Sequence, residues 1–354
     1  MPSHHFAYVG CRTTRERHAR GDGINVYRVD PATAQWEHVQ LIADLINPSF
    51  LAFGRDQRFL YTVHGDSSEV SAFAVDPASG RLTFLNQVST QGRNPVHLAF
   101  DPEFRFLVIS NHATSTLAML PVGADGVLGE VCDLVTVAGQ IGPHRKEQPF
   151  AKPHQNVFSP DGRFILVPDK GADCVFSFSL SAKGKLRPTE QTAVQARETS
   201  GPRHVVFHPR LAFAYVINEL DSTVTSYHYT AQTGALQPFQ IQPSLPQSFT
   251  GNSRAAEIAI SGDGRFIYAS NRGFDSVAIF AVDQHNGWLT LLDVVPSGGQ
   301  TPRFFALAPD GGHLYVANEE SDSITAFRVD RATGLLSHTG QSVRTGSPVC
   351  ILFD

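Results

Sequence analysis

Polar and charged residues recur at matching positions along this 354-residue chain, next to short apolar runs. An arginine fork binds oxyanions through parallel hydrogen bonds, and histidine or glutamate can move the protons of a water. The residues at the start of an apolar run are His97, Lys152, His154, Arg203, His204, Glu257 and Arg303. Those at the end of the following run are His64, His112, Asp169, Asn218, Glu219, Asn271, Arg272, Asn318 and Glu319. Brought together and partly desolvated, such groups predict a site for a small anionic molecule.

These runs belong to an internal repeat. Six segments share one pattern of two apolar runs around a turn, and they begin at Asn47, Asn94, Lys152, Gly201, Arg254 and Thr301. A period of about 40 to 50 residues is typical of propellers. Most units continue with a second alternating pair, as in DSVAIFAVDQHNGWLTLL, so each unit predicts four short strands. A seventh unit is split, because SPVCILFD at the end supplies its first strand and FAYVGC and GINVYRVDPATAQW supply the rest.

We therefore predict an all-β fold: one domain of residues 1–354 that forms a seven-bladed β-propeller with four-stranded antiparallel blades and a closing blade shared by the N- and C-termini. No 11-residue window keeps a helical period, which argues against a parallel α/β fold. The start of a blade's first strand and the end of its second should lie at the same mouth of the central channel. The opposite mouth should hold hairpin-turn residues such as Asp161, Arg163, Asp263 and Arg265.

Composition narrows the class of protein further. Hydrophobic residues make up 42% of the chain and charged residues 17%, which is enough for a buried core. The net charge of -5, without a long run of Lys and Arg, argues against nucleic-acid binding. No stretch approaches the ~20 apolar residues of a membrane helix, and residues 1–10 lack the features of a secretory signal, so we expect a cytoplasmic protein. A propeller of this kind needs no partner to bury its core, so we expect a monomer.

No motif calls for a cofactor or a metal. The chain has neither a P-loop nor a Gly-x-Gly-x-x-Gly that opens a helix, and it lacks the Gly-x-Ser-x-Gly elbow of serine hydrolases. The four cysteines are scattered and show no C-x-x-C spacing, so we interpret them as reduced, small apolar residues. The polar residues of the predicted mouth must then supply any chemistry.

Several segments together resemble the seven-bladed lactonase family, which includes bacterial propeller 6-phosphogluconolactonases and fungal carboxy-cis,cis-muconate lactonizing enzyme. The segments are GPRHVVFHP (201–209), INEL (217–220), SGDGRFIYASNRGFDSV (261–277), TPRFFALAPDG (301–311) and SPVCILFD (347–354). The resemblance covers essentially the whole chain. It implies catalytic groups at His154, Arg203, Glu219 and Arg272, which match the family's Pro-His, Gly-Pro-Arg-His, Glu-Leu and Ser-Asn-Arg-Gly motifs.

The implied activity is hydrolysis of a small anionic lactone, such as the sugar lactone 6-phosphogluconolactone. Glu219 or His154 would activate water, while Arg203 and Arg272 would hold the developing oxyanion. The same groups could instead run a muconate-type lactonization. We predict that other polar residues of the mouth bind substrate, namely His97, Lys152, Asn156, Asp169, His204, Asn218, Glu257, Asn271, Arg303 and Glu319.

The chain departs from the family pattern in two places. Asn156 stands where many members have a second histidine, and His64-Gly65 stands where many have Asn-Glu. The insert GQIGPHRKEQPFAKPH (139–154) resembles the family loop before Pro-His. It could cover the mouth and add cationic contacts from His144, Arg145 and Lys146, or it could be solvated.

Two further functions are compatible with a propeller. A six-bladed, metal-dependent lactonase would use Glu219, Asn271 and Asp169 as calcium or zinc ligands. A non-catalytic scaffold would bind proteins across one face, although the Gly-His and Trp-Asp signature of such repeats is absent. The number of blades and a lactone turnover assay discriminate between these alternatives.

Overall fold

The computed structural model describes residues 5–354, which form 28 strands in seven four-stranded antiparallel sheets. Blade 1 combines the chain ends, and blades 2 to 7 follow in chain order. Blade 1 contains β1 (His5–Cys11), β2 (Gly23–Val29), β3 (Trp36–Ala43) and β28 (Pro348–Phe353). Blade 2 contains β4 (Pro48–Phe53), β5 (Phe59–His64), β6 (Glu69–Val75) and β7 (Leu82–Ser89). Blade 3 contains β8 (Pro95–Phe100), β9 (Phe106–Asn111), β10 (Thr116–Pro121) and β11 (Asp133–Thr136). The seven-bladed prediction is confirmed, and a six-bladed fold is wrong.

The other four blades repeat the same order. Blade 4 contains β12 (Val157–Phe158), β13 (Phe164–Asp169), β14 (Cys174–Leu180) and β15 (Leu186–Gln195), and blade 5 contains β16 (Pro202–Phe207), β17 (Phe213–Asn218), β18 (Thr223–Thr230) and β19 (Ala235–Pro243). Blade 6 contains β20 (Arg254–Ile260), β21 (Phe266–Arg272), β22 (Ser276–Val282) and β23 (Leu289–Pro296), and blade 7 contains β24 (Pro302–Leu307), β25 (His313–Asn318), β26 (Ser323–Val329) and β27 (Leu336–Arg344). Three single-turn 3-10 helices complete the elements, at Arg15–Arg17, Arg55–Gln57 and Glu319–Ser321. Within residues 5–354, no helix has the length and apolar character needed to cross a membrane.

Blade 1 closes the ring as the split repeat predicts. Its strand order is β28-β1-β2-β3, with Tyr8 paired to Leu352 and Val9 to Ile351. The backbone N–H of Phe6 also donates to the Asp354 carboxylate at 2.8 Å. The last strand in the chain is therefore the innermost strand of the closing blade.

Neighbouring blades are locked together by a recurring tyrosine. In four blades the second strand carries a buried tyrosine whose hydroxyl donates to a glycine carbonyl in the hairpin of the next blade. The pairs are Tyr8 with Gly80, Tyr61 with Gly126, Tyr215 with Gly287 and Tyr268 with Gly334, at 2.8 to 3.0 Å. At Gly334, φ is +75° and an added Cβ would lie 2.3 Å from the Phe266 ring, so only glycine fits. The ring is thereby rigid enough to hold side chains from several blades in one place.

Candidate active site

The strand register brings first-strand starts and second-strand ends to one mouth. Pro202 pairs with Asn218, and Pro302 pairs with Asn318, across adjacent antiparallel strands. Blades 2, 3 and 4 repeat this relation with the pairs Pro48–His64, Pro95–Asn111 and Pro153–Asp169. The prediction that these positions share a mouth is confirmed.

β-Bulges redirect the side chains at the start of the first strands. In blades 5 and 7 the register shifts between the proline and the second residue after it, which leaves Arg203 and Arg303 as the extra residues. In blade 6 the shift lies between Ala255 and Ile258 and includes Glu257. A bulge places an extra residue against one partner and re-aims its side chain. Arg203, Arg303 and Glu257 owe their position at the channel to this local irregularity.

A second position in each blade also faces the mouth. It is the residue after the Asn, Asp, His or Cys near the end of the second strand: Arg12, Gly65, His112, Lys170, Glu219, Arg272 and Glu319. Arg12 and Lys170 are not among the site residues predicted from the sequence. The repeat contains the signal that would have found them, since Lys170 follows VPD just as Glu219 follows VIN.

Glu219 is the centre of the charged cluster. Its Oε2 atom lies 3.2 Å from Arg203 Nε and 3.3 Å from Arg272 Nη2, while Lys170 Nζ donates to Oε1 at 3.2 Å. The side chain is only 6% exposed. Burial alone would raise the pKa of Glu219, but Arg272, Lys170 and Arg203 together hold it well below its usual range. Glu219 is therefore an anion that fixes three cations.

Arg203 keeps its charge in this cluster. Burial and the neighbouring Arg272 lower the pKa of Arg203 only to about 10. Arg203 also donates to the carbonyl of Ala256, and Arg272 donates to that of Ala255 at 3.1 Å. Both guanidinium groups are thus held by a carboxylate and a carbonyl, which pre-organises them for binding an oxyanion.

A second ion-pair group lies beside the first. Glu319 has its Oε1 atom 3.0 Å from Arg12 Nε and its Oε2 atom 3.9 Å from Arg303 Nε. Arg12 is 5% exposed and its Nη1 atom lies 3.7 Å from Asp66. Arg303 and Glu319, two of the predicted substrate-binding residues, therefore lie at the mouth and form an ion pair with each other.

Histidine rings form the adjoining wall. The ring centroid of His154 lies 5.2 Å from that of His112 and 5.1 Å from that of His204. Burial, followed by the charge of Arg203, lowers the pKa of His154 well below its ordinary value, so its imidazole is neutral near pH 7. Among residues 5–354 the Nδ1 atom of His154 has no hydrogen-bond partner, although it is buried. A buried, unpartnered nitrogen is a functional candidate.

His204, Glu257 and His97 line the inner part of the group. His204 Nδ1 lies 3.0 Å from Glu257 Oε1, and the His97 and His204 ring centroids are 6.0 Å apart. The His97 ring also packs against Phe50 at 4.1 Å. These three predicted substrate-binding residues are buried and in contact with each other, so they form a continuous polar wall with His154.

Four of the predicted substrate-binding residues make hydrogen bonds within the blades. Asn218 donates to Thr223 and Thr225 at 2.9 Å, and Asn271 exchanges hydrogen bonds with Ser244. Asp169 Oδ1 accepts from the backbone N–H groups of Lys152, Gly171 and Ala172 at 2.7 to 2.9 Å. Asn156 bonds to Ser110. Each of the four side chains bonds within a blade or its adjoining turn, although Asn218 Oδ1 and Asp169 Oδ2 are buried without a hydrogen-bond partner among residues 5–354.

These contacts also bear on metal binding. Asp169 and Asn271, two of the ligands that the metal-dependent alternative needs, are already engaged within their blades. The part of the chain that the structure describes has no group of three or more His, Cys, Asp or Glu side chains arranged to hold a metal ion.

The insert before the Pro-His motif reaches the mouth with an anion. Glu147 lies 3.1 Å from Lys170 Nζ and 2.8 Å from Arg254 Nη1, whereas Arg145 and Lys146 are exposed. Of the two alternatives for this loop, solvation holds for Arg145 and Lys146, and Glu147 is the residue that turns inward. Lys152, at the end of the loop, is partly buried, and its Nζ lies 5.1 Å above the Phe150 ring.

The turn residues form local contacts, as predicted. Asp161 accepts from Ser159 at 2.6 Å and from Arg163 at 2.7 Å, and Asp263 repeats both contacts with Ser261 and Arg265.

The fold and the site together define the class of protein. It is a seven-bladed β-propeller that brings arginine, histidine and carboxylate groups together at one mouth, and such groups are of the kind found in enzyme active sites.

Comparison with known proteins identifies the family. The chain matches the family described as "Lactonase, 7-bladed beta-propeller" over residues 6–353, so it belongs to that family. The 6-phosphogluconolactonase of Bacillus subtilis (strain 168) is 32% identical over 353 residues, covering 99% of this chain and 98% of that one. The 6-phosphogluconolactonase of Formosa agariphila is 33% identical over 310 residues, covering 84% and 85%. The structure of Pseudomonas aeruginosa periplasmic gluconolactonase, PpgL, matches with a TM-score of 0.92 at 32% identity and covers 99% of both chains.

Proposed function

We propose that this protein hydrolyses a small anionic sugar lactone of the 6-phosphogluconolactone type. Its membership of the lactonase family and the names of its relatives support this class of substrate. The observation that carries the proposal is the contact of Glu219 with Arg203, Arg272 and Lys170 beside the neutral imidazole of His154. This group combines a proton acceptor with cations that can hold an oxyanion.

His154 is the better candidate for the general base. Glu219 has both oxygens engaged by cations, so accepting a proton would weaken four ion pairs. His154 is neutral, so one nitrogen of its imidazole carries a lone pair that can accept the proton of a water. In this proposal Glu219 positions the two arginines, and His154 takes the proton.

The reaction then follows ordinary ester hydrolysis. The water oxygen attacks the lactone carbonyl carbon, its proton passes to His154, and the carbonyl oxygen becomes an oxyanion held by Arg203 and Arg272. The intermediate collapses when the ring carbon–oxygen bond breaks. His154 returns the proton to the ring oxygen, which leaves as a hydroxyl, and the product is the open-chain carboxylic acid, which releases its proton to the solvent and becomes the carboxylate.

The test is a lactone panel followed by pH-stat, with the uncatalysed rate subtracted. Wild-type protein should hydrolyse 6-phosphogluconolactone faster than gluconolactone, and Arg203→Ala should lower kcat by about 10²- to 10³-fold, the usual effect of losing an oxyanion donor. Arg163→Ala, at a hairpin turn of the opposite mouth, is the matched control. A muconolactone-type substrate is included because the lactonizing reaction is the alternative. Absence of turnover of every lactone by the wild-type protein would refute the proposal.

A further inference from the structure

We infer that Lys170 and Arg254 form a subsite for the phosphate group of the substrate, and that Glu147 occupies this position with its own carboxylate until substrate displaces it. The inference rests on the proposed function and assigns its specificity for a phosphorylated lactone to two particular cations. Neither Arg254 nor Glu147 was selected from the sequence.

The contacts of Glu147 define the subsite. Its Oε2 atom lies 3.1 Å from Lys170 Nζ and its Oε1 atom 2.8 Å from Arg254 Nη1. Lys170 follows the second strand of blade 4 and Arg254 begins the first strand of blade 6, so one carboxylate joins two blades. Carboxylate and phosphate oxygens accept hydrogen bonds from the same lysine and arginine donors. The position that Glu147 holds therefore has the chemistry of an anion site.

The subsite lies next to the groups proposed for catalysis. Lys170 also contacts Glu219 Oε1 at 3.2 Å, and Arg254 Nη1 lies 3.9 Å from that same oxygen. Glu219, on blade 5, therefore lies between the blades that supply the two cations. A ring held by Arg203 and Arg272 could place a phosphate substituent on Lys170 and Arg254 without leaving the mouth.

Charge balance favours a second anion at this position. Four cations, Lys170, Arg254, Arg203 and Arg272, face two carboxylates, those of Glu219 and Glu147. Glu219 is buried and pairs with all four cations, whereas Glu147 is 20% exposed, pairs with two of them and lies on a loop. Glu147 is the carboxylate that can be exchanged, and a phosphate dianion would pair more charge with the same two cations.

The loop is built so that the Glu147 side chain can leave while the backbone stays. The buried Gln148 donates to the Lys170 carbonyl at 2.9 Å and accepts from the backbone N–H of His144 at 3.1 Å. The backbone N–H of Glu147 donates to His144 Nδ1 at 3.2 Å, and that of Gly142 donates to the Gly171 carbonyl at 2.9 Å. These bonds fasten the loop backbone to blade 4. A rotamer change at Glu147 is enough to release the two cations.

Removal of the competing carboxylate tests this directly. Inorganic phosphate is titrated against wild type, Glu147→Gln and Arg254→Ala, with binding measured by calorimetry. We expect Glu147→Gln to bind phosphate about tenfold more tightly, which corresponds to about 1.4 kcal/mol, and Arg254→Ala to bind it at least tenfold more weakly. Arg145→Ala, on the exposed side of the same loop, is the matched control and should bind phosphate as the wild type does. Unchanged or weaker phosphate binding by Glu147→Gln would overturn the inference.

Paired substrates then test specificity. The ratio of kcat/KM for 6-phosphogluconolactone to that for gluconolactone should fall at least tenfold in Arg254→Ala. An equal loss on both lactones would overturn the subsite. If the wild type hydrolyses neither lactone, the proposed function fails, while the phosphate titration still decides whether Lys170 and Arg254 bind the anion.

Discussion

The Nδ1 atom of His204 lies 3.0 Å from one carboxyl oxygen of Glu257 and 3.1 Å from the other, and its Nε2 atom lies 3.4 Å from Arg203 Nη1. Burial raises the pKa of Glu257 to about 8. Burial, followed by the charge of Arg203, lowers the pKa of His204 well below its ordinary value. At pH 7 the pair is therefore neutral, with a carboxylic acid hydrogen-bonded to an uncharged imidazole.

This pair predicts a pH-dependent difference in stability between the wild type and Glu257→Gln. In the unfolded chain Glu257 loses its proton near its ordinary pKa of about 4.3, whereas in the folded protein it keeps the proton until about pH 8. Its contribution to stability is complete below the unfolded pKa and is lost as pH rises to about 8. The free energy of unfolding of wild type relative to Glu257→Gln should therefore fall between pH 5 and 8 and level off above.

Thermal unfolding at several pH values measures this difference. Because all other groups titrate in both proteins, their contributions cancel in the comparison. The slope can reach about 1.4 kcal/mol per pH unit for a single group. A difference that stays constant from pH 5 to 9 would contradict a protonated Glu257.

His154→Gln tests the assignment of the base. We expect kcat to fall about 10²- to 10³-fold, within the usual range for loss of a general base. The pKa of His154 lies below its ordinary value, so wild-type activity should rise with pH through that pKa and be constant near pH 7, and this acidic limb should disappear in the variant. His313→Gln, at the hairpin end of blade 7, is the control. Retention of the limb in His154→Gln would assign the base elsewhere.

Glu219→Gln separates the positioning residue from the base. Arg203, Arg272 and Lys170 would lose their shared anion, and breaking one partner of a buried ion pair costs about 3 to 5 kcal/mol. We expect a lower melting temperature and a lower kcat, with the acidic limb of the pH profile still present. Glu320→Gln serves as the control, because Glu320 is an exposed glutamate that follows Glu319 in blade 7. Loss of the limb in Glu219→Gln would instead identify Glu219 as the base.

Asn271→Ala tests the structural interpretation of the blade amides. Asn271 Nδ2 donates to the Ser244 carbonyl at 2.9 Å, and its Oδ1 accepts from the Ser244 hydroxyl at 2.6 Å. Loss of these buried bonds should lower the free energy of unfolding by about 1 to 3 kcal/mol. The KM for the lactone should change less than threefold. A large rise in KM without a change in unfolding, measured by denaturant titration, would instead support the predicted substrate-binding role of Asn271.

The blades and the mouth could be predicted because they depend on local patterns. Apolar alternation and turns such as PDGRF determine strands, and antiparallel order then decides which ends meet. The direction of each side chain at the mouth depends on finer geometry. Asn218 and Glu219 are neighbours, yet one turns into the blade and the other into the channel, because the strand ends between them. Contacts across blades, such as Glu147 with Arg254, depend on loop conformation that no repeat encodes.

Blade 1 has a consequence for synthesis. β28 (Pro348–Phe353) is made after every other described strand, yet it lines the channel and completes the hydrogen bonding of β1 (His5–Cys11), the earliest of the described strands. Six blades can acquire their strands during translation, but the earliest strand must wait for the latest one. A chain that stops before Pro348 would lack the hydrogen bonds that join β28 to β1. We expect the ring of blades then to open beside Arg12, whose backbone N–H donates to the Ser347 carbonyl.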